Sequence, residues 1–128
     1  FEPEDVDTAL ADLVRAGLVD DQRFATELVR SRSGRRLAGS RLIRQELRQK
    51  GVAPQLVDEA VADAEGTEED RAFRLAEQRA ARFGRLDPDA TARRLIGVLQ
   101  RRGFGYDAAK RAAMHALAGM GWDPAGED

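Results

Sequence analysis

The chain contains no cysteine, which excludes a disulfide framework and any thiolate metal site. Its single histidine, His115, has no second ligand at metal-binding spacing and reads as an ordinary helix residue. No apolar run approaches the ~20 residues of a membrane span, and no signal-peptide pattern is present. No segment alternates apolar and polar residues long enough to read as a strand. The glycine pairs in "GFG" (103–105) and "GMG" (119–121) lack the strand, spacing and lysine of a phosphate loop. There is no Ser/His/Asp set, and the many carboxylates sit at helix starts, where they complement the dipole. The expectation is therefore a non-enzyme with no cofactor, no metal and no small-molecule substrate, and the lack of cysteine allows a reducing compartment without showing one. Lysine is also scarce: 19 of the 21 basic residues are arginine, the exceptions being Lys50 and Lys110. Arginine forms forked contacts with carboxylate or phosphate that lysine cannot, although a GC-rich genome would produce the same bias.

Charge, by contrast, is abundant at 34% of 128 residues, against 42% hydrophobic. That balance suits a thin helical array with much wetted surface better than one large core. The net charge of −2 hides alternating blocks. Residues 1–29 carry −6, residues 30–50 carry +7, residues 51–70 carry −7, residues 71–111 carry +7 and the remainder −3. A block of one sign makes a local field even when the whole is near neutral.

Almost everything between the glycines has helical spacing, and seven helices are predicted. Pro3 opens the first, with Val6, Ala9, Leu10 and Leu13 following before a stop at Gly17. Asp20 caps a second that turns Phe24, Ala25 and Leu28 inward and ends near Gly34. Ser40 caps a third, with Ile43 and Leu47 inward and Gly51 as the stop. Pro54 opens a fourth over Val57, Ala60, Val61 and Ala64. Thr67 with Asp70 forms a capping box for a fifth, which carries Ala72, Leu75, Ala76 and Phe83 to a stop at Gly84. Asp87-Pro88 starts a sixth over Leu95, Ile96 and Leu99 to Gly103, and a seventh runs from about Tyr106 to Ala118.

These helices repeat. The stretch "LRQKGVAPQLVDEAVADA" (47–64) parallels "LQRRGFGYDAAKRAAMHA" (99–116), fifty-two residues later. Aligning Gly51 with Gly103 pairs Leu47 with Leu99, Val52 with Phe104 and Ala60 with Ala112. A third copy starts at the beginning of the chain, where Phe1, Pro3, Val6 and Leu10 match Val52, Pro54, Val57 and Val61. Upstream, Ala25 and Leu28 match Ala72 and Leu75. A unit is thus three helices of roughly fifty residues, too small to bury its apolar faces alone and stabilised by its neighbours. The fold class expected is all-α, with tandem three-helix repeats stacked into an elongated, curved array. The expected organisation is a remnant of a first repeat (1–19), a second repeat (20–66), a third (67–119) and a mobile acidic tail (120–128). The chain opens on Phe1 rather than Met, and it is expected to be a fragment whose first unit lacks two helices.

The candidate partner-binding residues are the arginines of the basic blocks. Arg41, Arg44 and Arg48 share one helix face opposite Ile43 and Leu47, with Arg30, Arg32, Arg35 and Arg36 leading into it and Lys50 closing it. Arg93, Arg94 and Arg101, followed by Arg102, occupy the matching helix, so the two faces are candidates for a single stripe. Charge pattern alone leaves a solvated face and an anion-binding face both open. Phe104 is expected to staple two helices. Tyr106 stands where Pro54 stands in the earlier copy, and it reads either as core or as an exposed contact.

Residues 17–52, "GLVDDQRFATELVRSRSGRRLAGSRLIRQELRQKGV", resemble the RecX family of recombination regulators. The resemblance is carried by Gly17-Leu18, Asp20-Asp21, Arg23-Phe24-Ala25, Ile43, Leu47 and Lys50-Gly51. The later "LQRRGFGYD" (99–107) resembles that family's Arg-Gly-Phe-Ser-Tyr pattern, with Gly105 in place of the serine. It implies tandem three-helix units and a non-enzymatic partner of the RecA recombinase. Such a protein binds the RecA filament on DNA and mostly inhibits its ATPase, strand-exchange and coprotease activities. The family's N-terminal part is expected to be missing here. Two other readings stay open: a module that binds single- or double-stranded DNA directly through its basic helix faces, and a helical scaffold for another protein. Against direct base reading, the chain is acidic overall and lacks an Asn/Gln-rich face.

Overall fold

The computed structural model describes residues 3–34, 36–64, 66–83 and 87–122, with side chains from residue 8 onward. They form six helices: α1 (Pro3–Gly34), α2 (Ser40–Gln49), α3 (Pro54–Ala62), α4 (Glu68–Phe83), α5 (Pro88–Arg101) and α6 (Tyr106–Gly119). No strand occurs among the described residues. The fold is all-α with tandem three-helix repeats. The C-terminal part of α1 packs with α2 and α3 around Ala25, Val29, Ile43, Leu47, Val52 and Val57. In the second group, α4, α5 and α6 pack around Leu75, Leu95, Leu99, Phe104 and a set of alanines. Ile43 and Leu95, Leu47 and Leu99, and Val52 and Phe104 are buried at matching positions, as the sequence repeat requires. Among the described residues no helix is long and apolar enough to cross a membrane.

The repeat is written most sharply in the helix ends. α2 stops at Gly51 (φ 82°) and α5 at Gly103 (φ 96°), a left-handed backbone that glycine adopts without a Cβ clash. Gly51 N–H donates to the Arg48 carbonyl and Val52 N–H to that of Leu47, both at 3.0 Å. Gly103 N–H donates to Gln100 and Phe104 N–H to Leu99, again at 3.0 Å. This doubly bonded stop satisfies carbonyls that the helix leaves unpaired and turns the next residue inward. Val52 and Phe104 are therefore driven into their cores, and Phe104 staples α5 to α6 as expected. At the starts, Thr67 Oγ1 accepts from Asp70 N–H (3.0 Å), and Asp87 Oδ2 accepts from Ala90 N–H (3.3 Å) ahead of Pro88.

Three local expectations are corrected. First, α1 does not stop at Gly17 and restart at Asp20; it is one helix. Gly17 keeps a negative φ, and an interior glycine costs only about 1 kcal/mol against alanine, which its strong helix-forming neighbours offset. Among the described residues no other element packs there to impose a break, and Leu10, Leu13 and Val14 are exposed, Leu13 to 69%. Second, Phe24 is not in the core; Val29 takes that place. Third, Ser40 does not cap α2, because the cap position is Gly39. Expectations placed on Phe1, on the Val6 side chain, on Arg35, on the Gly84 stop and on the tail beyond Trp122 lie outside the described residues.

Gly39 sits where the two repeats meet. Its N–H donates to the Arg102 carbonyl at 2.8 Å. A Cβ on Gly39 would overlap the Gly103 carbonyl, and one on Gly103 would lie 2.5 Å from Leu42 Cβ. Ser40 N–H donates to Glu68 Oε1 at 3.2 Å, so α2 receives its cap from the following repeat. Leu37, in the left-handed region (φ 49°), buries its side chain in the third-repeat core. Arg71, only 3% exposed, donates Nε–H to the Ala38 carbonyl at 3.0 Å and Nη1–H to that of Gly66 at 3.3 Å. Burial lowers the Arg71 pKa from its ordinary value, and the charge of Glu68 opposes that shift.

Two predictions follow from this packing. Leu47→Asp and Leu99→Asp each give up the ~1.5–3 kcal/mol of a buried leucine and bury a carboxylate, so each should cost more than about 4 kcal/mol. Circular dichroism should show loss of cooperative helix, and two native-like variants would refute the assigned cores. Gly39→Ala should cost about 1–3 kcal/mol through overpacking at the seam. Gly17→Ala, at an exposed mid-helix position where a Cβ meets nothing within 4 Å, should instead be neutral or stabilise by up to about 1 kcal/mol. Urea unfolding of the pair decides the point, equal midpoints being the contrary result.

Candidate partner interface on the basic helices

The arginines predicted to bind a partner divide into two groups. Arg32 is half-buried and donates Nε–H to Glu46 Oε2 at 2.8 Å, which ties α1 to α2. Arg44 pairs with Asp58 of α3. Both are struts within the second repeat. Arg30, Arg36, Arg41, Arg48 and Lys50 are exposed and make no ion pair among the described residues. The expected triad on α2 is thus reduced to Arg41 and Arg48.

On α5 the arrangement is different. Arg93, Arg94 and Arg101 are all exposed, and they line a groove of 350 Å³ whose opposite wall is α4, contributing Arg79 and Phe83. Arg94 lies over the Phe83 ring, its guanidinium carbon 6.0 Å from the centroid, close enough for a cation–π contact. The groove has no carboxylate among its described lining residues. It reaches toward the seam, because Arg102, half-buried at the end of α5, lies within electrostatic range of Arg79 and of Arg36 in the linker. Burial lowers the pKa of Arg102 first, and the like charges of Arg79 and Arg36 lower it further. The ends of the two basic helices meet here, since the carbonyl of Arg102 accepts the Gly39 N–H just ahead of α2.

Tyr106 is 54% exposed at the first position of α6, so it is a surface residue and not part of the core. His115 holds α6 to α4, with Nε2 3.2 Å from Glu77 Oε1 and its ring stacked on Phe73 at 4.6 Å. Among the described residues no group of three His, Cys, Asp or Glu side chains is placed to hold a metal ion. An apolar hollow of 540 Å³ opens beside Ala80, Ala81, Ala116 and Ala118. Its counterpart one repeat earlier, beside Ser33, Gly34 and Gly66, is lined on the other side by Arg71 and Arg74 of α4.

Sequence reasoning missed Arg79, Phe83 and Gly97. Arg79 is one charge in a basic block, and Phe83, expected inward, does pack half-buried against the third-repeat core while also lining the groove. Gly97 lies on the groove wall in mid-helix, and an interior glycine without a turn was the available signal.

Comparison with known proteins agrees with this architecture. Residues 20–61 match the family model for the second three-helix domain of RecX, and residues 67–113 match that for the third. The chain is similar to the Regulatory protein RecX of Trichlorobacter lovleyi, 41% identical over 84% of this chain and 71% of the relative. That of Mycolicibacterium vanbaalenii is also 41% identical, over 80% of this chain and 60% of the relative. That of Mycobacterium avium is 36% identical over 91% of this chain and 69% of the relative. The chain thus spans between 60% and 71% of the length of these curated relatives. No solved structure matches it at a significant level. With both three-helix domains matched in order and this identity sustained over most of its length, the chain belongs to the RecX family.

Proposed function

We propose that this chain is a cytoplasmic, non-enzymatic regulator that binds the RecA recombinase filament on DNA and mostly inhibits its ATPase, strand-exchange and coprotease activities. Family membership supports the regulatory role, since the relatives are named regulatory proteins. The observation that carries the reading at residue level is the groove between α4 and α5. Arg79, Arg93, Arg94 and Arg101 converge there without a carboxylate among the described lining residues. A cluster of exposed like charges makes a local field that draws an anionic partner toward it. Two repeats with basic surface also suit a repeating partner, because neighbouring units engage neighbouring protomers at raised effective concentration. The acidic block of residues 51–70 limits indiscriminate attachment to DNA.

The test compares charge reversal on the two helices. Arg93→Glu, Arg94→Glu and Arg101→Glu together should weaken binding to preformed recombinase filaments by about ten-fold or more and relieve ATPase inhibition, with helicity unchanged. Arg41→Glu with Arg48→Glu should act in the same direction but more weakly. Binding should fall as salt rises. Inhibition by the α5 triple variant equal to that of wild type would assign the groove to plain solvation.

A further inference from the structure

We infer that the α4–α5 groove is a subsite for the phosphodiester backbone of single-stranded DNA, with Arg94 and Phe83 offering a stacking surface for a base. The inference deepens the filament-binding proposal and rests on it for its setting. The first observation is convergence. Guanidiniums arrive from two helices: Arg79 from α4, and Arg93, Arg94 and Arg101 from α5. Guanidinium is the group that receives phosphate in a forked, two-bond geometry.

The second observation is length. Arg94 and Arg101 are seven residues apart on one helix, about 10 Å, which gives room for more than one phosphate. The cations continue past the groove through Arg102 to Arg36, whose charges act on one another across the repeat seam. A track of like charge with no carboxylate among its described lining residues fits a polymer charged at every unit. It fits less well to an acidic protein segment, whose carboxylates are spaced irregularly.

The third observation selects nucleic acid on other grounds. Arg94 is held over the Phe83 ring at 6.0 Å, and planar arginine and aromatic faces are the platforms on which unstacked bases rest. Gly97 completes the site. It lies half-buried on the groove wall, and a Cβ there would sit 3.3 Å from Arg101 Nη1. The absence of a side chain keeps Arg101 available and the wall open to an incoming strand.

The experiment uses the full chain and contains no recombinase, so its failure leaves the filament reading standing. A fluorescein-labelled twelve-residue oligothymidylate is titrated with protein, and anisotropy is followed at several salt concentrations from about 50 mM upward. Four phosphate contacts predict a slope of log K against log salt of about −3, at roughly −0.7 per contact for a single strand. Arg79→Ala with Arg101→Ala should lower affinity by about ten-fold or more and flatten the slope by about 1.4. Gly97→Glu should abolish binding while raising the melting temperature, since glutamate outranks glycine in a helix. Loss of binding through misfolding would lower it instead. An uncharged methylphosphonate oligothymidylate should not bind. The inference is overturned if wild type gives no anisotropy change, or if the variants bind as wild type does. It is also overturned if the methylphosphonate strand binds equally well. Displacement of the oligonucleotide by polyglutamate at equal charge concentration would reassign the groove to an acidic protein segment.

Discussion

Where α5 ends, the backbone of Gly103 lies against that of Gly39, and the Gly39 N–H closes on the Arg102 carbonyl at 2.8 Å. The rest of the arrangement depends on that approach. The bond satisfies a donor ahead of α2 and an acceptor at the end of α5, the two kinds of group that helix termini leave unpaired. The positive end of one helix dipole meets the negative end of the other. With the linker held there, Leu37 reaches the third-repeat core, Glu68 reaches the first N–H of α2, and Arg71 reaches the Ala38 carbonyl. Each tie crosses from one repeat to the next. α2 has no side-chain cap of its own, so its first turn is completed only when the following repeat is folded. Stability in such an array belongs to the interfaces as much as to the units.

The same seam organises the charge. Arginines that serve packing have partners: Arg32 has Glu46, Arg44 has Asp58, and Arg111 has Glu69 at 3.3 Å. Arg79, Arg93, Arg94 and Arg101 are gathered in one groove instead, and the end of that groove approaches Arg102 and Arg36. The protein had acids to spare, with 23 Asp and Glu in the chain. Their exclusion from the groove among the described residues is a matter of placement, not of supply. Surface ion pairs contribute little to stability, so the lack of an ion pair to these cations among the described residues costs the fold little and leaves them available to an anionic partner.

Much of this was legible in the sequence, for a definable reason. Internal repetition cross-checks each local signal: Ile43 with Leu95, Leu47 with Leu99, and Gly51 with Gly103 are each read twice, and all three pairs hold. Caps written in side chains, Thr67 and Asp87, were readable as well. What escaped was whatever depends on a neighbour distant in sequence. Ser40 resembles a cap, but the true cap position is Gly39, because only a glycine fits against Gly103. Arg71 stands in the sequence only as one charge of the 71–111 basic block, and its burial requires the Ala38 carbonyl, thirty-three residues away. Gly17 looked like a stop, but a stop needs either a left-handed backbone or a packing partner, and it has neither. In the candidate interface, the exposure of the α5 arginines on one helix face was legible, whereas the pairing of Arg44 was not, because its partner, Asp58, lies on a different helix.

Gly51 and Gly103 occupy equivalent positions, adopt the same left-handed backbone and make the same pair of hydrogen bonds. Their surroundings differ. A Cβ at Gly51 meets nothing within 4 Å, whereas one at Gly103 runs into Leu42 of the preceding repeat. The first glycine answers only to backbone geometry, which asparagine also tolerates. The second answers to geometry and to the space between repeats together. The repeat therefore holds two identical letters with unequal freedom to change. Gly51 is open to asparagine, and Gly103 is closed to every side chain while the seam stands.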